Sequence, residues 1–185
     1  MTTRRLPVAT QPTRSTKSAQ STDAITLLKA DHKEIRRLFA EFEKAGDGAQ
    51  RTKQRLVDRI IELLTVHTYI ENEVMYPRVR ALLPDLEDDI LESYEEHHVA
   101  DVLVMELSAM NASDERFDAK TMVLIESVRH HIQEEEDDWF PEVRKGLGRK
   151  ALQQIGAEMV KARTKAPKKP SQPSALKKTV DAVVS

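Results

Sequence analysis

The 185-residue chain has no cysteine, only 5 glycines, 4% aromatic residues and no long apolar run. Each absence removes a class of protein. Without cysteine there is no disulfide framework, thiolate metal site, covalent haem attachment or cysteine nucleophile. So few glycines and aromatics argue against a β-sandwich or barrel, whose strands and turns need both. No stretch approaches the roughly eighteen apolar residues of a membrane-spanning helix, and the N-terminus has no apolar signal-peptide core. What is present, 39% hydrophobic and 32% charged residues, suits one core built from long amphipathic helices. The expectation is an all-helical protein of a reducing compartment, placed in the cytoplasm and away from membranes.

The net charge of -2 is unevenly spread. Residues 1–22 carry Arg4, Arg5, Arg14 and Lys17 and no acid, and residues 161–185 carry seven bases against Asp181 alone. The stretch between them is strongly acidic. Both ends are rich in Pro, Ser, Thr and Lys, a composition that buries too little apolar surface to offset its ordering entropy. The organisation expected is a disordered basic tail over 1–22, a bundle over 23–146, a short C-terminal helix over 147–164 and a disordered basic tail over 165–185. The tails are candidates for contact with nucleic acid or another polyanion, although no recognition motif accompanies them.

Hydrophobic periodicity marks four long helices. The first starts at Asp23, a good N-cap, and stops at Gly46-Asp47-Gly48, with Ile25, Leu28, Ile35, Leu38, Phe39 and Phe42 on one stripe. The second runs from about Gln50 to Tyr76, where Pro77 is expected to end or kink it, with Ile60, Leu64 and Val74 or Met75 inward. The third begins after Pro84-Asp85 and reaches about Asn111, presenting Ile90, Val104 and Leu107. The fourth begins between Ser113 and Asp118 and ends at Pro141, presenting Leu124, Val128 and Trp139. A weaker helix over 149–163 carries Leu152, Ile155 and Met159. Short connections between long helices imply an antiparallel up-down-up-down four-helix bundle.

All six histidines fall within this pattern, at least one in each of the four helices: His32, His67, His97 with His98, and His130 with His131. The pattern repeats. His67-Thr-Tyr-Ile-Glu71 leads to Tyr76-Pro77, and His131-Ile-Gln-Glu-Glu135 leads to Phe140-Pro141, at an offset of 64. Asp31-His32 aligns with Glu96-His97 at an offset of 65. The chain is two copies of one helical hairpin. Only one of two adjacent histidines points into a bundle. The repeat selects His97 over His98 and His131 over His130, leaving the other two for outer or surface roles.

Residues four apart share a helix face, so His67 and Glu71 project together, as do His131 and Glu135. Four imidazoles and two carboxylates then converge. Two metal ions taking two histidines each, bridged by both carboxylates and by an oxo or hydroxo group, would use most of the coordination positions and leave room for a small ligand. Mixed imidazole and carboxylate donors suit iron, with manganese or zinc as alternatives. A ferritin-like site needs two Glu-x-x-His motifs, and only Glu95-x-x-His98 is present. A His-Glu-x-x-His zinc motif does not occur.

Asp31-His32, His67-x-x-x-Glu71 with Tyr76-Pro77, Glu96-His97 and His131-x-x-x-Glu135 with Phe140-Pro141 together resemble the hemerythrin-like HHE cation-binding domains. The resemblance covers roughly 23–145. It implies a four-helix bundle holding an oxo-bridged pair of Fe ions on His32, His67, Glu71, His97, His131 and Glu135. It also implies a protein that binds or senses O2, NO or peroxide, or handles iron in stress defence. The oxygen-carrying members have a further histidine where this chain has Asp101. Iron–sulfur repair relatives often carry a cysteine-bearing module, absent here.

Other residues near the motifs also have expected roles. Met75 and Trp139 are expected to wall the site, and Tyr94 to donate to a bound oxygen species. Asn72, Glu73, Glu134, Asp137 and Asp138 read as solvated face, with Glu136 a candidate outer contact. The leading functional expectation is therefore a non-haem di-iron protein. The alternatives are an oxidoreductase turning over peroxide or NO at the same centre, and a polyanion-binding bundle acting through its tails.

Overall fold

A computed structural model describes residues 22–170. The expected tails lie outside the described residues, except for Thr22 and the turn-and-bend segment 165–170. Helix α1 spans Ala24–Lys44. Its N-cap is Asp23, whose carboxylate accepts from the Thr26 backbone N–H at 3.0 Å and from the Thr26 hydroxyl at 2.9 Å. This satisfies one of the donors that a helix start leaves free. Helix α2 spans Gln50–Ile70 and passes through a π turn, Glu71–Met75, into α3, Tyr76–Leu82. A single 3₁₀ turn, Pro84–Leu86, leads to α4, Glu87–Ser108. Helix α5 spans Phe117–Glu134 and passes through a second π turn, Glu135–Trp139, into α6, Phe140–Arg163.

The two prolines therefore do not stop their helices. Each rod continues beyond Pro77 or Pro141 because a π turn precedes the proline. In an unbroken α-helix the proline ring collides with the carbonyl four residues back, and its missing N–H leaves that carbonyl unbonded. One extra residue in the turn widens it and relieves the collision. The Tyr76 N–H bonds to the Glu71 carbonyl and the Phe140 N–H to the Glu135 carbonyl, each five residues back. The real break comes later, at Gly148, with φ 69° and ψ 174°, a conformation open only to glycine. The expected fifth helix is the stretch of α6 after this break.

Helix α1 packs on α2 and α6, α4 packs on α5, and α2 touches α4. The result is an all-helical bundle. The core divides into two apolar clusters. One, at the end bearing the α1–α2 and α4–α5 connections, holds Leu38, Phe39, Phe42, Leu64, Val104, Phe117 and Leu124. The other, at the end closed by α3 and α6, holds Ile25, Leu28, Ile70, Tyr76, Ile90, Phe140 and Leu152. The candidate ligands lie at the waist between them. No helix among the described residues is long and apolar enough to cross a membrane.

The end of α6 closes the second cluster by lying directly on the start of α1. A Cβ added at Gly156 would stand 2.3 Å from the Thr22 carbonyl oxygen and 2.8 Å from the Ala24 nitrogen, both backbone atoms that cannot rotate away. Gly156→Val should therefore destabilise the fold by about 1–3 kcal/mol, the usual cost of overpacking. Asp23→Ala should cost about 1 kcal/mol through the lost cap. Urea denaturation checks both. An unchanged midpoint for the valine variant would mean that the two helices do not touch there.

Candidate metal centre

Four side chains reach the waist from α-helices and two from the π turns. His32, His67, His97 and His131 come from α1, α2, α4 and α5. Glu71 and Glu135 are each the first residue of a π turn. All six are buried, with 0–6% of their surface exposed. Each carboxylate stands between one histidine of its own hairpin and one of the other. Glu71 Oε2 is 3.2 Å from His67 Nε2 and 3.5 Å from His97 Nε2. Glu135 Oε2 is 3.2 Å from His32 Nε2 and 3.7 Å from His131 Nε2.

Several of these close approaches are not hydrogen bonds. His32 Nε2, His67 Nε2, both Glu71 oxygens and Glu135 Oε2 are buried with no hydrogen-bond partner. Buried polar atoms are normally satisfied, and leaving five of them free would be costly. A cation is the partner that such an inward-facing set of donors fits. One atom from each of His32, His67, Glu71 and Glu135 lies within 4.8 Å of the others, as does one from each of Glu71, His97 and His131. Two groups of ligating atoms that share Glu71 could hold two neighbouring ions.

The backs of the four rings are held as well. His32 Nδ1 is 2.8 Å from Glu136 Oε1, and His97 Nδ1 is 3.0 Å from Asn72 Oδ1. His67 Nδ1 is 3.4 Å from Asp31 Oδ2, and His131 Nδ1 is 2.6 Å from Glu96 Oε2. An oxygen behind each Nδ1 keeps the proton on that side and turns Nε2 inward, the usual arrangement behind a metal-binding imidazole. The internal repeat extends to these partners. Asp31 and Glu96 precede the first histidine of each hairpin, and Asn72 and Glu136 follow each carboxylate. Asn72 is thus not solvated face. It is 1% exposed, turned inward because it follows Glu71 in the π turn. Glu136 does make the outer contact expected of it.

The nearest aromatic walls are Tyr76 and Phe140, the residues ahead of the two prolines. Phe140 stacks on His32 with centroids 5.7 Å apart, and Tyr76 lies 5.4 Å from His97. Tyr76, rather than Tyr94, points its hydroxyl at the site: it donates to Glu135 Oε1 at 3.1 Å and lies 3.3 Å from His97 Nε2. Tyr94 is one shell further out, edge-on to the Tyr76 ring at 5.3 Å. Trp139 borders a cleft above His131 and Glu135, and Met75 packs in the second apolar cluster. His130 is exposed beside Glu134, and His98 is half-buried with no contact to the six.

The electrostatics show a site unsettled without added positive charge. Burial pushes the Glu71 carboxyl well above its ordinary pKa, and the charge on Glu135 adds to this. Burial acts the same way on Glu135, but the positive charge on His131 and the close His32 ring outweigh it and hold its pKa low. Burial drives His67 and His97 towards the neutral form. In His131 the effect of burial is overcome by Glu135 and Glu96, and its pKa rises. Protons thus partly occupy positions that a cation would take, and binding a cation would release them. Tyr76→Phe should cost about 1–3 kcal/mol, because it leaves a buried oxygen of Glu135 without its O–H donor. Thermal denaturation of the metal-free variant checks this, and an unchanged midpoint would mean that the hydroxyl does not make the bond.

A family model described as the Hemerythrin HHE cation binding domain matches residues 23–143. A crystal structure of a hemerythrin HHE cation binding domain-containing protein from Mycobacterium kansasii superposes with a TM-score of 0.64 at 20% identity, covering 78% of this chain and 86% of that one. The chain is also 29% identical over 139 residues to a protein of Nostoc sp. named DNA nickase, a match that takes in 75% of this chain. It spans only 38% of the length of that relative. The family match runs from the Asp23 cap to Val143 and so encloses every one of the six inward-facing groups: the chain belongs to the hemerythrin HHE cation-binding domain family.

Proposed function

We propose that this protein holds two iron ions at the waist of the bundle, one on His32 and His67 and the other on His97 and His131, with Glu71 and Glu135 between them. The observation that carries the reading is the set of buried, unpartnered ligand atoms facing one another while an oxygen holds the back of each imidazole. Imidazole and carboxylate donors without thiolate suit iron, or manganese or zinc, better than soft copper(I). Bound iron would supply redox chemistry and an attachment point for a small molecule. The chain's own residues would fix the rings, exclude bulk water and present the Tyr76 hydroxyl beside the ions.

Access limits what can react. A cleft of about 230 Å³ opens above His131 and Glu135, and Asp89, Glu92, Glu96 and Glu142 are among the acids that line it. Its negative field favours the approach of cations. A pocket of about 10 Å³ lies against His67, His97 and His131, lined also by Leu64, Ala100 and Val128. That volume admits a molecule of about the size of water. Small ligands such as O2, NO or peroxide, or the iron itself, are the ones this reading assigns to the site, with a role in sensing, storage or stress defence. Turnover of peroxide or NO at the same ions is the enzymatic form of this reading.

Metal analysis should find about two Fe per chain, with ligand-to-metal charge-transfer absorption lost in His67→Ala and in His131→Ala. Retention of both ions by these variants would overturn the ligand set. Steady-state consumption of peroxide or NO marks an enzyme, whereas a sensor or store reacts once and stops. Glu71→Leu should weaken cation binding yet stabilise the metal-free fold, since it replaces a buried carboxyl with two unpartnered oxygens by an apolar side chain of similar size. Metal titration and denaturation of the metal-free protein together check the opposite signs.

A second reading, contact with a polyanion through the basic termini, is favoured by their charge and by the name of the Nostoc relative. It concerns the surface, because a nucleic-acid backbone does not reach side chains buried at the waist. A DNA mobility shift that weakens steeply with salt and disappears on removal of both tails supports it. The absence of any shift at low salt ends it.

A further inference from the structure

The last part of α6 lies beyond the family match at 23–143, yet its final residue reaches the centre. Arg163 donates from Nη1 to Asp31 Oδ1 at 3.0 Å and from Nη2 to Asp31 Oδ2. This two-pronged pairing fixes the plane of the carboxylate as well as its position. Asp31 is 7% exposed, and its Oδ2 stands 3.4 Å behind His67 Nδ1. On the far side of the ring, His67 Nε2 lies 3.2 Å from Glu71 Oε2. A continuous polar chain thus runs from the end of α6 into the site. The apolar anchors Leu152, Ile155 and Met159 hold that helix end in place.

At the matching position of the other hairpin no such arginine clamp is found among the described residues. The counterpart of Asp31 is Glu96, which holds His131 Nδ1 at 2.6 Å. Besides His131, the charged groups that act on Glu96 are Glu134 and His130. The two halves of the centre match in their inward ligands and differ in what stands behind them. A long contact such as Asp31 to His67 needs its carboxylate held from outside, and a buried carboxylate without its arginine would turn towards water.

We propose that Arg163 is a positioning residue for the metal centre: by clamping Asp31 it locks the His67 ring, so that the C-terminal helix sets the affinity of one cation position and not the other. The inference rests on the two-ion reading above. Loss of an outer partner of a metal-binding histidine typically lowers metal affinity about 10- to 100-fold.

The test titrates the metal-free full chain with Co2+ alone, followed by its absorption spectrum, in the wild type, Arg163→Gln and Arg163→Lys. One of the two Co2+ affinities should fall at least about tenfold in the glutamine variant, the other should stay unchanged, and lysine should restore part of the loss. Nitrogen-15 NMR of the metal-free proteins should show the His67 Nδ1 proton signal weakened in Arg163→Gln while that of His131 is kept. Equal loss at both positions, or an unperturbed His67 signal, overturns the proposal. A wild type that binds no Co2+ defeats the two-ion reading instead, and the His67 signal then decides the role of Arg163 by itself. Should Arg163→Gln fail to fold, Arg163→Lys carries the same comparison, because its single ammonium cannot reproduce the two-pronged contact.

Discussion

Six ionisable side chains buried at the waist of a helical bundle are the constraint around which the rest of the molecule is arranged. Burying a carboxylate without a partner is costly, and Glu71 has two oxygens in that condition. The apolar clusters above and below the waist must be large enough to hold the fold together across this polar layer. They also keep out the water that would otherwise solvate the imidazoles and carboxylates. What costs stability in the metal-free chain is the same feature that makes the site receptive to cations.

The π turns are the local device that makes the layer possible. Each starts at the buried carboxylate and ends just before an aromatic-Pro pair. The extra residue accommodates the proline and shifts the phase of everything beyond it. Asn72 and Glu136 consequently face the ring of a histidine on another helix. Tyr76 and Phe140 face inward as well, each against a histidine of the hairpin to which it does not belong. Proline here re-aims a helix rather than ending it.

The duplicated hairpin brings near-symmetry in the inward ligands, and the outer partners break it. Glu136 is paired with Arg36 and Asp31 with Arg163, so both carboxylates behind His32 and His67 are neutralised by arginine. Behind His97 stands the uncharged Asn72, and behind His131 the carboxylate of Glu96. Two positions with similar ligands therefore sit in different electrostatic surroundings.

The sequence by itself determined the helices, their apolar stripes and the six converging groups, because all of these follow from local periodicity and an internal repeat. The choice of His97 over His98 and of His131 over His130 was legible for the same reason. Tertiary structure alone decided what lies behind each ring. Asp31 meets a histidine 36 residues away and an arginine 132 residues away. No local pattern encodes such contacts; they exist only once the helices are packed. The π turns hid Asn72 and Tyr76 in a related way. Face assignments that assume 3.6 residues per turn go out of phase after one inserted residue, and these two side chains lie within or just after that shift.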